Sequence, residues 1–546
     1  MKINAKEVAR ATAILGKYKS AKAALERRIV ADEEWWKMRA SGADSTGWLF
    51  NAVANRHADA MDNVPSPFVL PRERGDEESA KGLSEILPAL LDASDFESVW
   101  SDVWYDKLKH GTGCYGVFWD PVKLGGKGDV EIKRIDLLNL FWQSGISDLQ
   151  DSENVFYTRL VGNEELQDAY PFVDLSQTPE FSGAKYLSEG AEDTEGKSVV
   201  VDWYYKKLVG GRKVLHLCKF CCGQVLYSSE DDKRYPYGIY AHGKYPFFFD
   251  RLFVMRGTPC GFGIVDAMKG CQAQIDSLSS SLVRSAELAG RVRYFIRTDG
   301  SVNEEEFSDF TKPFVHVHGS RLGEDSLRPL DAPNVDPTVF AVLNHKINEL
   351  KETAGNRDFN QGETRGGVTA ASAITALQEA GNKHSRDMIS ASYAAFREVV
   401  KTVIALVGQF YTFPRAFRIL GEDGSYSFLS YSARGIAPRP IEAMGYAFGE
   451  YTPEFDVKVS AERRSPFARV TQNEMAKEFF AMGIFDPARR AEAVACVSMM
   501  EFEGKDKVIA RLTAGEGEAD DGISFPPAPK TPLTDAVVRA ESGAKL

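Results

Sequence analysis

Apolar residues recur at helical spacing over the first 60 residues of the chain. They predict an amphipathic, charged helix to about Trp36 and a second helix from Thr46 to Met61, which Pro65 and Pro67 close. After a charged linker, the apolar residues between Gly82 and Lys109 fall three and four positions apart. This spacing predicts a pair of helices with one buried face.

The period then changes to that of β-strands. The runs YGVFWD and DVEIKRI flank the glycine-rich VKLGGKG, which predicts a β-hairpin. Further on, the strand-like runs VVVDWYYKK, KVLHLCKF and QVLYSS are separated by turns at Gly210 and Gly211 and at Gly223, which predicts an antiparallel meander. Residues 45 to 260 are therefore expected to form an α+β domain.

The segment from Gly263 to Gly290 is helical in spacing but rich in small and polar residues. A helix with such a thin apolar line packs against similar neighbours rather than into a thick core, and it would be about 40 Å long. Residues 291 to 319 are expected to form a strand, a helix and a second strand, and Asn334 to Gly355 a returning helix. The predicted order is helix, small α/β tip, helix.

A polar loop with three glycines, residues 356 to 367, opens into a long apolar pattern. That pattern predicts one helix from Val368 to about Thr412, with a kink at Gly381. A helix of this length would be a structural spine of the molecule.

The C-terminal part begins with a short strand, FDVKV, and continues with two predicted helices. Their starts are the pairs Ser465-Pro466 and Asp486-Pro487, where a capping side chain precedes a proline at the first helical position. The remaining residues are rich in Gly, Glu, Pro, Lys and Thr, and this tail is expected to be mobile.

Composition narrows the possible functions. Of 546 residues, 43% are hydrophobic and 26% charged, which is typical of a folded globular protein. The first thirty residues hold no uninterrupted apolar stretch, so no signal peptide is expected, and no run is long enough to predict a membrane span. The seven scattered cysteines indicate free thiols in a reducing compartment. The net charge of -12 argues against tight binding to nucleic acid, which needs clustered lysine and arginine.

Sequence signatures of catalysis are absent. The chain has no GxxxxGK[ST] phosphate loop, no HExxH, no GxSxG and no kinase set. Acidic runs such as Glu304 to Glu306 are best interpreted as solvated faces. No enzymatic activity and no cofactor are therefore expected.

Two groups of residues have the composition of metal ligands. His216 precedes Cys218, Cys221 and Cys222, but a second ligand pair is missing, so ordinary strand and turn residues are the favoured interpretation. In FVHVHG, His316 and His318 would point to one side of a predicted strand. An exposed strand face, or one in an interface, is the favoured interpretation there as well. No metal site is expected.

Arginines cluster mildly at three places, where they could contact phosphate or pair with nearby carboxylates. The clusters are Arg291, Arg293 and Arg297; Arg357 and Arg365; and Arg463 and Arg464.

The order of elements from about 262 to 412 resembles the stem, clip, stem, tunnel loop and spine of tailed-phage portal proteins. Several stretches of sequence are also similar to portals of long-tailed phages. They are ANRHADAMDN with VLPRE, KHGTGCYGVFWDP, DVEIKRIDLLNLFWQSGISDLQDSENVF, HGKYPFFFDRLF with GTPCGFG, EEEFSDFTKPFVHVHG, and INELKETAGNRDFNQGETRGGVTAASAITALQEAG. The resemblance covers about residues 45 to 415, and the CKFCC turn is not part of it.

The resemblance implies a portal fold of the α+β class with ten divisions. They are an N-terminal helical segment (1–44), a wing (45–261), a first stem helix (262–290), a clip (291–333), a second stem helix (334–355), a tunnel loop (356–367), a long spine helix (368–412), a wing return (413–461), a helical crown (462–512) and a flexible tail (513–546).

The resemblance also implies partners. The chain would form a closed ring, typically of about twelve subunits, at one capsid vertex of the virion after assembly in the host cytoplasm. Double-stranded DNA would pass through its channel, and the clip would meet the terminase packaging ATPase and later the head-to-tail adaptor. Major capsid and scaffolding proteins would be neighbours, and no membrane is involved.

Two sets of side chains are candidates for these contacts. The DNA-facing tunnel loop would use Arg357, Asn360, Gln361, Thr364 and Arg365. The clip, which docks the ATPase and adaptor, would use Arg293, Arg297, Glu304, Glu305, Glu306 and Asp309.

Two other classes of function stay open. Another structural head protein, such as a capsid or scaffold component, predicts shells or filaments rather than a ring. An enzyme, such as a nuclease or the packaging ATPase itself, predicts dependence on a metal or a nucleotide, for which the sequence holds no motif.

Overall fold

The computed structural model divides the chain into two compact units, residues 1–463 and 464–546. The first unit is described at residues 3–40, 45–175, 196–209, 211–235, 238–290, 293–296, 303–309, 311–316, 327–330, 336–355, 383–420, 426–436, 439–443, 446–451 and 453–463. The second is described at residues 477–479, 481, 483, 490–498 and 509.

Helices and strands both contribute to the first unit, so the predicted α+β class is confirmed. The helices are α1 (Ala5–Trp36), α2 (Trp48–Met61), α3 (Glu77–Ala93), α4 (Phe96–His110), α5 (Asn163–Ala169), α6 (Ile264–Gly290), α7 (Glu304–Ser308), α8 (Pro337–Thr353) and α9 (Lys383–Phe410). In the second unit, α10 spans Arg490–Ser498.

The strands are β1 (Asn63–Pro71), β2 (Thr112–Asp120), β3 (Asp129–Arg134), β4 (Leu140–Trp142), β5 (Asn154–Gly162), β6 (Lys197–Val209), β7 (Arg212–Cys221), β8 (Gln224–Ser228), β9 (Phe247–Arg251), β10 (Phe253–Val254), β11 (Gly261–Phe262), β12 (Arg293–Ile296), β13 (Leu327–Leu330), β14 (Arg415–Leu420), β15 (Tyr426–Tyr431), β16 (Arg439–Ala443), β17 (Tyr446–Tyr451) and β18 (Phe455–Arg463).

Two antiparallel sheets form the body of the first unit. One has the order β3-β2-β9 and the other β4-β5-β6-β7-β8. The predicted β2–β3 hairpin and the β6–β7–β8 meander are both confirmed. The predicted helices up to residue 110 are confirmed too, and the helix predicted from Val368 is described from Lys383 onward. Its predicted kink at Gly381 lies outside the described residues.

Strand β1 corrects one interpretation of the sequence. Pro65 and Pro67 were expected only to close a helix, yet they lie in a strand that pairs with β18 from Asn63 opposite Arg463 to Pro71 opposite Phe455. A proline cannot donate to a ladder, so prolines are tolerated where a strand has a neighbour on one side only. In this two-stranded sheet the prolines mark an edge rather than the absence of a strand.

Helix α4 occupies the centre of the hydrophobic core. Trp100, Val103 and Leu108 have no exposed surface, and the Phe96 ring lies 5.0 Å from the ring of Phe396 in α9. Helix α4 is followed by its C-cap residue Gly111, whose φ of 82° is left-handed. A Cβ there would lie 2.2 Å from the backbone of Phe262, so only glycine permits this close approach.

A buried ion pair joins α4 to β9, and its hydrogen bonds extend to α9. The side chains of Lys107 and Asp250 have no exposed surface, and Nζ lies 2.8 Å from the Asp250 carboxylate. Nζ also donates to Ser392 Oγ at 2.5 Å and to the Met388 carbonyl at 3.1 Å. Ser392 in turn donates to Asp250. Burial lowers the pKa of Lys107, and the charge of Asp250 opposes that shift.

The first helix is attached to α6 through buried carboxylates. Asp32 of α1 is fully buried, and Lys269 Nζ lies 3.1 Å from it and 2.7 Å from Asp266. Burial, followed by repulsion from Asp266, raises the pKa of Asp32 to about 6. The folded chain therefore holds a proton that the unfolded chain releases. This contribution to stability is complete below the ordinary carboxyl pKa of about 4 and is lost as the pH rises through about 6.

We expect the thermal midpoint of the wild-type chain to rise relative to that of Asp32→Asn when the pH is lowered from about 7.5 to about 5. The comparison uses thermal unfolding of both chains across this range, because histidines common to both cancel in the difference. Parallel curves for the two chains would contradict the assignment.

Candidate functional site

Helices α6 and α8 form an antiparallel pair that is anchored to the body of the unit through the first half of α6 and the end of α8. The Cys271 thiol donates to the Lys346 carbonyl at 3.3 Å, and a shallow groove between the helices is lined by Ala273, Ser277 and Val342. At 27 residues, α6 is about 40 Å long. The small residues along it permit the close packing of helices that the sequence predicted.

The anchored part of α6 also caps the N-terminus of α2. The N-cap residue of α2 is Gly47, which has no side chain to accept hydrogen bonds from the first amides of the helix. Instead, Gln272 Oε1 accepts from the Leu49 amide at 3.0 Å, and Asp276 Oδ1 accepts from the Thr46 amide at 2.9 Å and from its hydroxyl at 2.7 Å. Polar side chains in the middle of α6 therefore hold the helix against the body of the unit.

Beyond this anchor the pair exposes apolar side chains. Val283 and Leu288 of α6 are 58% and 41% exposed, and Phe340 and Val342 of α8 are 52% and 41% exposed. These four residues are called the distal apolar face below. Large apolar groups that are exposed on two neighbouring helices are typical of surfaces that contact another protein.

A small tip lies between the two helices in the chain. Strands β12 and β13 pair antiparallel, with Arg293 opposite Leu330. The short helix α7 begins after Asn303, which accepts from the Glu306 amide at 3.3 Å. Its first-turn acids Glu304 and Glu305 are exposed, as the sequence predicted for a solvated face.

The second strand of the tip is not where the sequence placed it. Residues 311–316 contain no strand, and the partner of β12 is Leu327–Leu330. His316 instead contacts α7: its amide and Nδ1 lie 2.7 and 2.8 Å from Glu306, and these bonds lower the pKa of Glu306. Asp309 accepts from the Thr311 amide and hydroxyl, which lowers its pKa. A local turn and a side-chain bond thus outweigh the strand-like alternation of FVHVHG.

The described residues include only some of the candidate side chains. Glu304, Glu305, Glu306 and Asp309 lie together in and after α7, and Arg293 lies in β12. Arg297 lies outside the described residues. So do the five loop candidates, Arg357, Asn360, Gln361, Thr364 and Arg365, and the predicted starts of the C-terminal helices.

The segments before and after the predicted tunnel loop are both bound to the body of the first unit. Arg56 of α2 is 4% exposed and donates through Nη2 to the Ala354 carbonyl at 2.7 Å, just after α8. Its Nη1 donates to Ser385 Oγ near the start of α9, and Ser385 donates to Asp59 at 2.6 Å. One guanidinium therefore joins the end of α8 to the start of α9. The sequence analysis did not single out Arg56. Its charged side chain lies on the apolar face of α2, and this position was the signal that could have identified it.

We expect Arg56→Met to destabilise the first unit by about 2–3 kcal/mol, because it leaves the buried Ala354 carbonyl without its charged donor. Urea unfolding measures the loss, and hydrogen exchange should accelerate at residues 350–355 and 383–392. Arg72→Met is the matched control, since Arg72 pairs with Glu454 and Asp456 at an exposed position and should matter little. Equal effects of the two changes would refute the joining role of Arg56.

Strand alternation separates the candidate zinc ligands. Cys218 packs with α1 residues such as Val8, whereas Cys221 packs on the opposite face of the sheet with Leu166 and Val173. An odd spacing of three along β7 requires this separation. Across the described ranges, no group of three or more His, Cys, Asp or Glu side chains could hold a metal ion.

Comparison with known families decides what kind of protein this is. Residues 57–531 match the family model described as Phage P22-like portal protein, which is most of the chain. The chain belongs to this family. It is therefore a portal protein, and portal proteins of bacteriophage virions are structural components of the capsid vertex.

Among solved structures, a chain of the virion of native gene transfer agent (GTA) particle is similar to the portal chain at 10% identity and a TM-score of 0.40. The match covers 84% of the portal chain and 93% of that chain. No curated protein matches the sequence. No helix in the described part of the portal chain is long and apolar enough to cross a membrane.

Proposed function

We propose that this portal protein forms a closed ring at one capsid vertex and provides the channel through which double-stranded DNA is packaged and later ejected. The distal apolar face carries the proposal. An isolated subunit leaves Val283, Leu288, Phe340 and Val342 in water. In a ring each helical pair has a neighbour on both sides, so side chains that lie on different sides of the helices can be buried against the two adjacent subunits.

In the ring, the ten divisions that the resemblance implies would take the roles of portal elements. Helices α6 and α8 are the proposed stem, the β12–β13 tip with α7 the proposed clip, and α9 part of the proposed spine. The body that contains the two large sheets is the proposed wing. Arg56 would then join wing, stem and spine at the base of the proposed tunnel loop.

The charge of the chain supports a channel along which DNA slides. A net charge of -12 disfavours tight binding to phosphates, so the duplex would not be held in place. Arg357, Asn360, Gln361, Thr364 and Arg365 are the proposed DNA-facing residues of the loop. Deletion of residues 361–366 tests this assignment: heads that package a full genome at the normal rate would remove the loop from the mechanism.

The clip is the proposed docking surface for the terminase ATPase and then for the head-to-tail adaptor. Glu304, Glu305 and the exposed rings of Phe295 and Phe314 offer a mixed acidic and apolar surface there. A partner with basic residues around an apolar centre would be complementary to it. Arg293 and Arg297 belong to the same proposed surface. Major capsid and scaffolding proteins would surround the wing.

Mass photometry of the purified chain, followed by negative-stain imaging of the largest species, tests the proposal. Rings of about twelve subunits with a central hole are expected. Shells or filaments would favour a capsid or scaffold component instead. A chain that stays monomeric even with its capsid and scaffolding proteins would contradict ring formation.

A further inference from the structure

Two adjacent cysteines lie at the turn between β7 and β8. Cys221 pairs with Gln224 across the hairpin, so its loop consists of the two residues Cys222 and Gly223. Their φ angles are 49° and 77°, and both are left-handed. A two-residue loop with two left-handed residues is typical of a type I′ turn, which suits the twist of a hairpin. The backbone of this turn therefore fixes where the two thiols lie.

Cysteine is an unusual residue at the first position of such a turn. Asn, Asp and Gly predominate there, because in other residues the Cβ atom crowds the following carbonyl oxygen in the left-handed region. Cys222 nevertheless adopts this conformation. Strained positions cluster at functional sites, so the thiol of Cys222 is a candidate for one.

The two thiols are in contact but differ in their access to solvent. Cys221 donates to Cys222, and the two Sγ atoms are 3.6 Å apart. Cys221 has no exposed surface and packs with Val200 and Leu226, whereas Cys222 is partly exposed at the edge of the same apolar cluster. A dissolved oxidant therefore meets the sulfur of Cys222 first.

The chemistry of Cys221 supports the same order. Burial, followed by the hydrogen bond to Cys222, raises the pKa of the Cys221 thiol to about 12. A buried thiol that stays protonated reacts poorly with a dissolved oxidant. It is well placed, however, to attack an oxidised sulfur that it already touches, because no diffusional encounter is needed.

We propose that Cys221 and Cys222 form a reversible redox site, in which Cys222 reacts with a peroxide and Cys221 then closes a disulfide to it. First, the Cys222 sulfur attacks one peroxide oxygen, the O–O bond breaks, and a sulfenic acid and water form. The Cys221 sulfur then attacks the Cys222 sulfur, the S–O bond breaks, and the hydroxyl leaves with the thiol proton as a second water. Two thiols are oxidised, and one peroxide is reduced to two waters.

The consequence of closure is protection of the chain. Cys221 acts as a resolving thiol, which removes the sulfenic acid of Cys222 before it is oxidised further or cross-links two chains. A reducing thiol reopens the disulfide by exchange and restores both cysteines. The site lies within one subunit, and the proposal does not depend on ring formation.

The sequence allows a direct test. Trypsin cuts after Lys219 and Lys233, and the peptide of residues 220–233 contains Cys221 and Cys222 and no other cysteine. The folded full-length chain is treated with hydrogen peroxide, alkylated with iodoacetamide in urea, digested and analysed by mass spectrometry. We expect this peptide to lose two hydrogen atoms and to carry no alkyl group. Dithiothreitol added before alkylation should restore two alkyl groups.

Other cysteines of the same chain are internal controls. Cys114 and Cys260 are buried, so their peptides should stay fully alkylated after peroxide treatment. Cys271 and Cys496 are partly exposed, and all chains in the test carry Cys271→Ala and Cys496→Ala to remove competing thiols. Thermal melts verify that each chain is folded.

Single variants separate the two roles. Cys222→Ser should leave Cys221 reduced, because the remaining thiol is buried. Cys221→Ser should leave Cys222 without its resolving thiol, so that peroxide yields sulfinic acid or disulfide-linked dimers that the wild-type pair does not form. Two alkyl groups on the wild-type peptide after peroxide would overturn the proposal. So would Cys221 oxidation at the wild-type rate in Cys222→Ser, or a Cys222 that stays reduced in Cys221→Ser.

Discussion

Lys107→Met is expected to destabilise the first unit by about 3–5 kcal/mol, because it leaves the carboxylate of Asp250 buried without a counter-charge. Lys107, Asp250 and Ser392 come from α4, β9 and α9, and both charged side chains are fully buried. Loss of the ammonium also removes the donor to the Met388 carbonyl. The damage should therefore concentrate where α9 packs on the body of the unit.

Urea unfolding followed by circular dichroism measures this effect, and hydrogen exchange in α9 locates it. The double variant Lys107→Met with Asp250→Asn should recover most of the lost stability, because no buried charge remains. Lys244→Met is the surface control for the same helix, since Lys244 pairs with Glu398 of α9 at 2.8 Å in an exposed position. A single variant no less stable than this control would contradict the assigned role of the buried pair.

Aspartate at two positions of the distal apolar face is expected to abolish ring assembly. Phe340 and Val283 are more than half exposed in the subunit, so Phe340→Asp with Val283→Asp should leave its fold intact. In a ring the same side chains would be buried, and each unpaired carboxylate would then cost several kcal/mol. Two such charges in every interface would exceed what a closed ring tolerates.

Mass photometry compares the double aspartate variant with wild type and with the conservative Phe340→Leu. We expect only monomers and small species for the first and normal rings for the other two. Thermal midpoints close to that of wild type verify that the subunits remain folded. Rings of normal mass from the double aspartate chain would exclude this face from the interface.

The first of these predictions concerns the folding of one subunit, and the second concerns the assembly of several subunits. The buried pair holds α9 to the body within one subunit, whereas the distal apolar face concerns contacts between subunits. A chain with a weakened pair should still expose Phe340 and Val283 and so retain its tendency to assemble. Comparing both variants therefore separates failure of folding from failure of assembly.

Several parts of this protein follow from the sequence alone. Helices α1, α6, α8 and the described part of α9 were predicted because a spacing of three and four residues is a local property of the chain. The β2–β3 hairpin and the β6–β7–β8 meander were predicted because glycine turns also act locally. Stretches of sequence around these elements resemble portal proteins and indicated the family, which the match over residues 57–531 confirms.

Only the tertiary structure decided which distant segments meet. The pairing of β1 with β18, the contacts of Arg56 with Ala354 and Ser385, and the buried pair of Lys107 and Asp250 all join residues far apart in sequence. Periodicity shows which face of a helix is apolar, but it does not show what covers that face. Charged residues such as Arg56 and Lys107 stand out on the apolar faces of their helices, but their partners became known only from the packing of the elements.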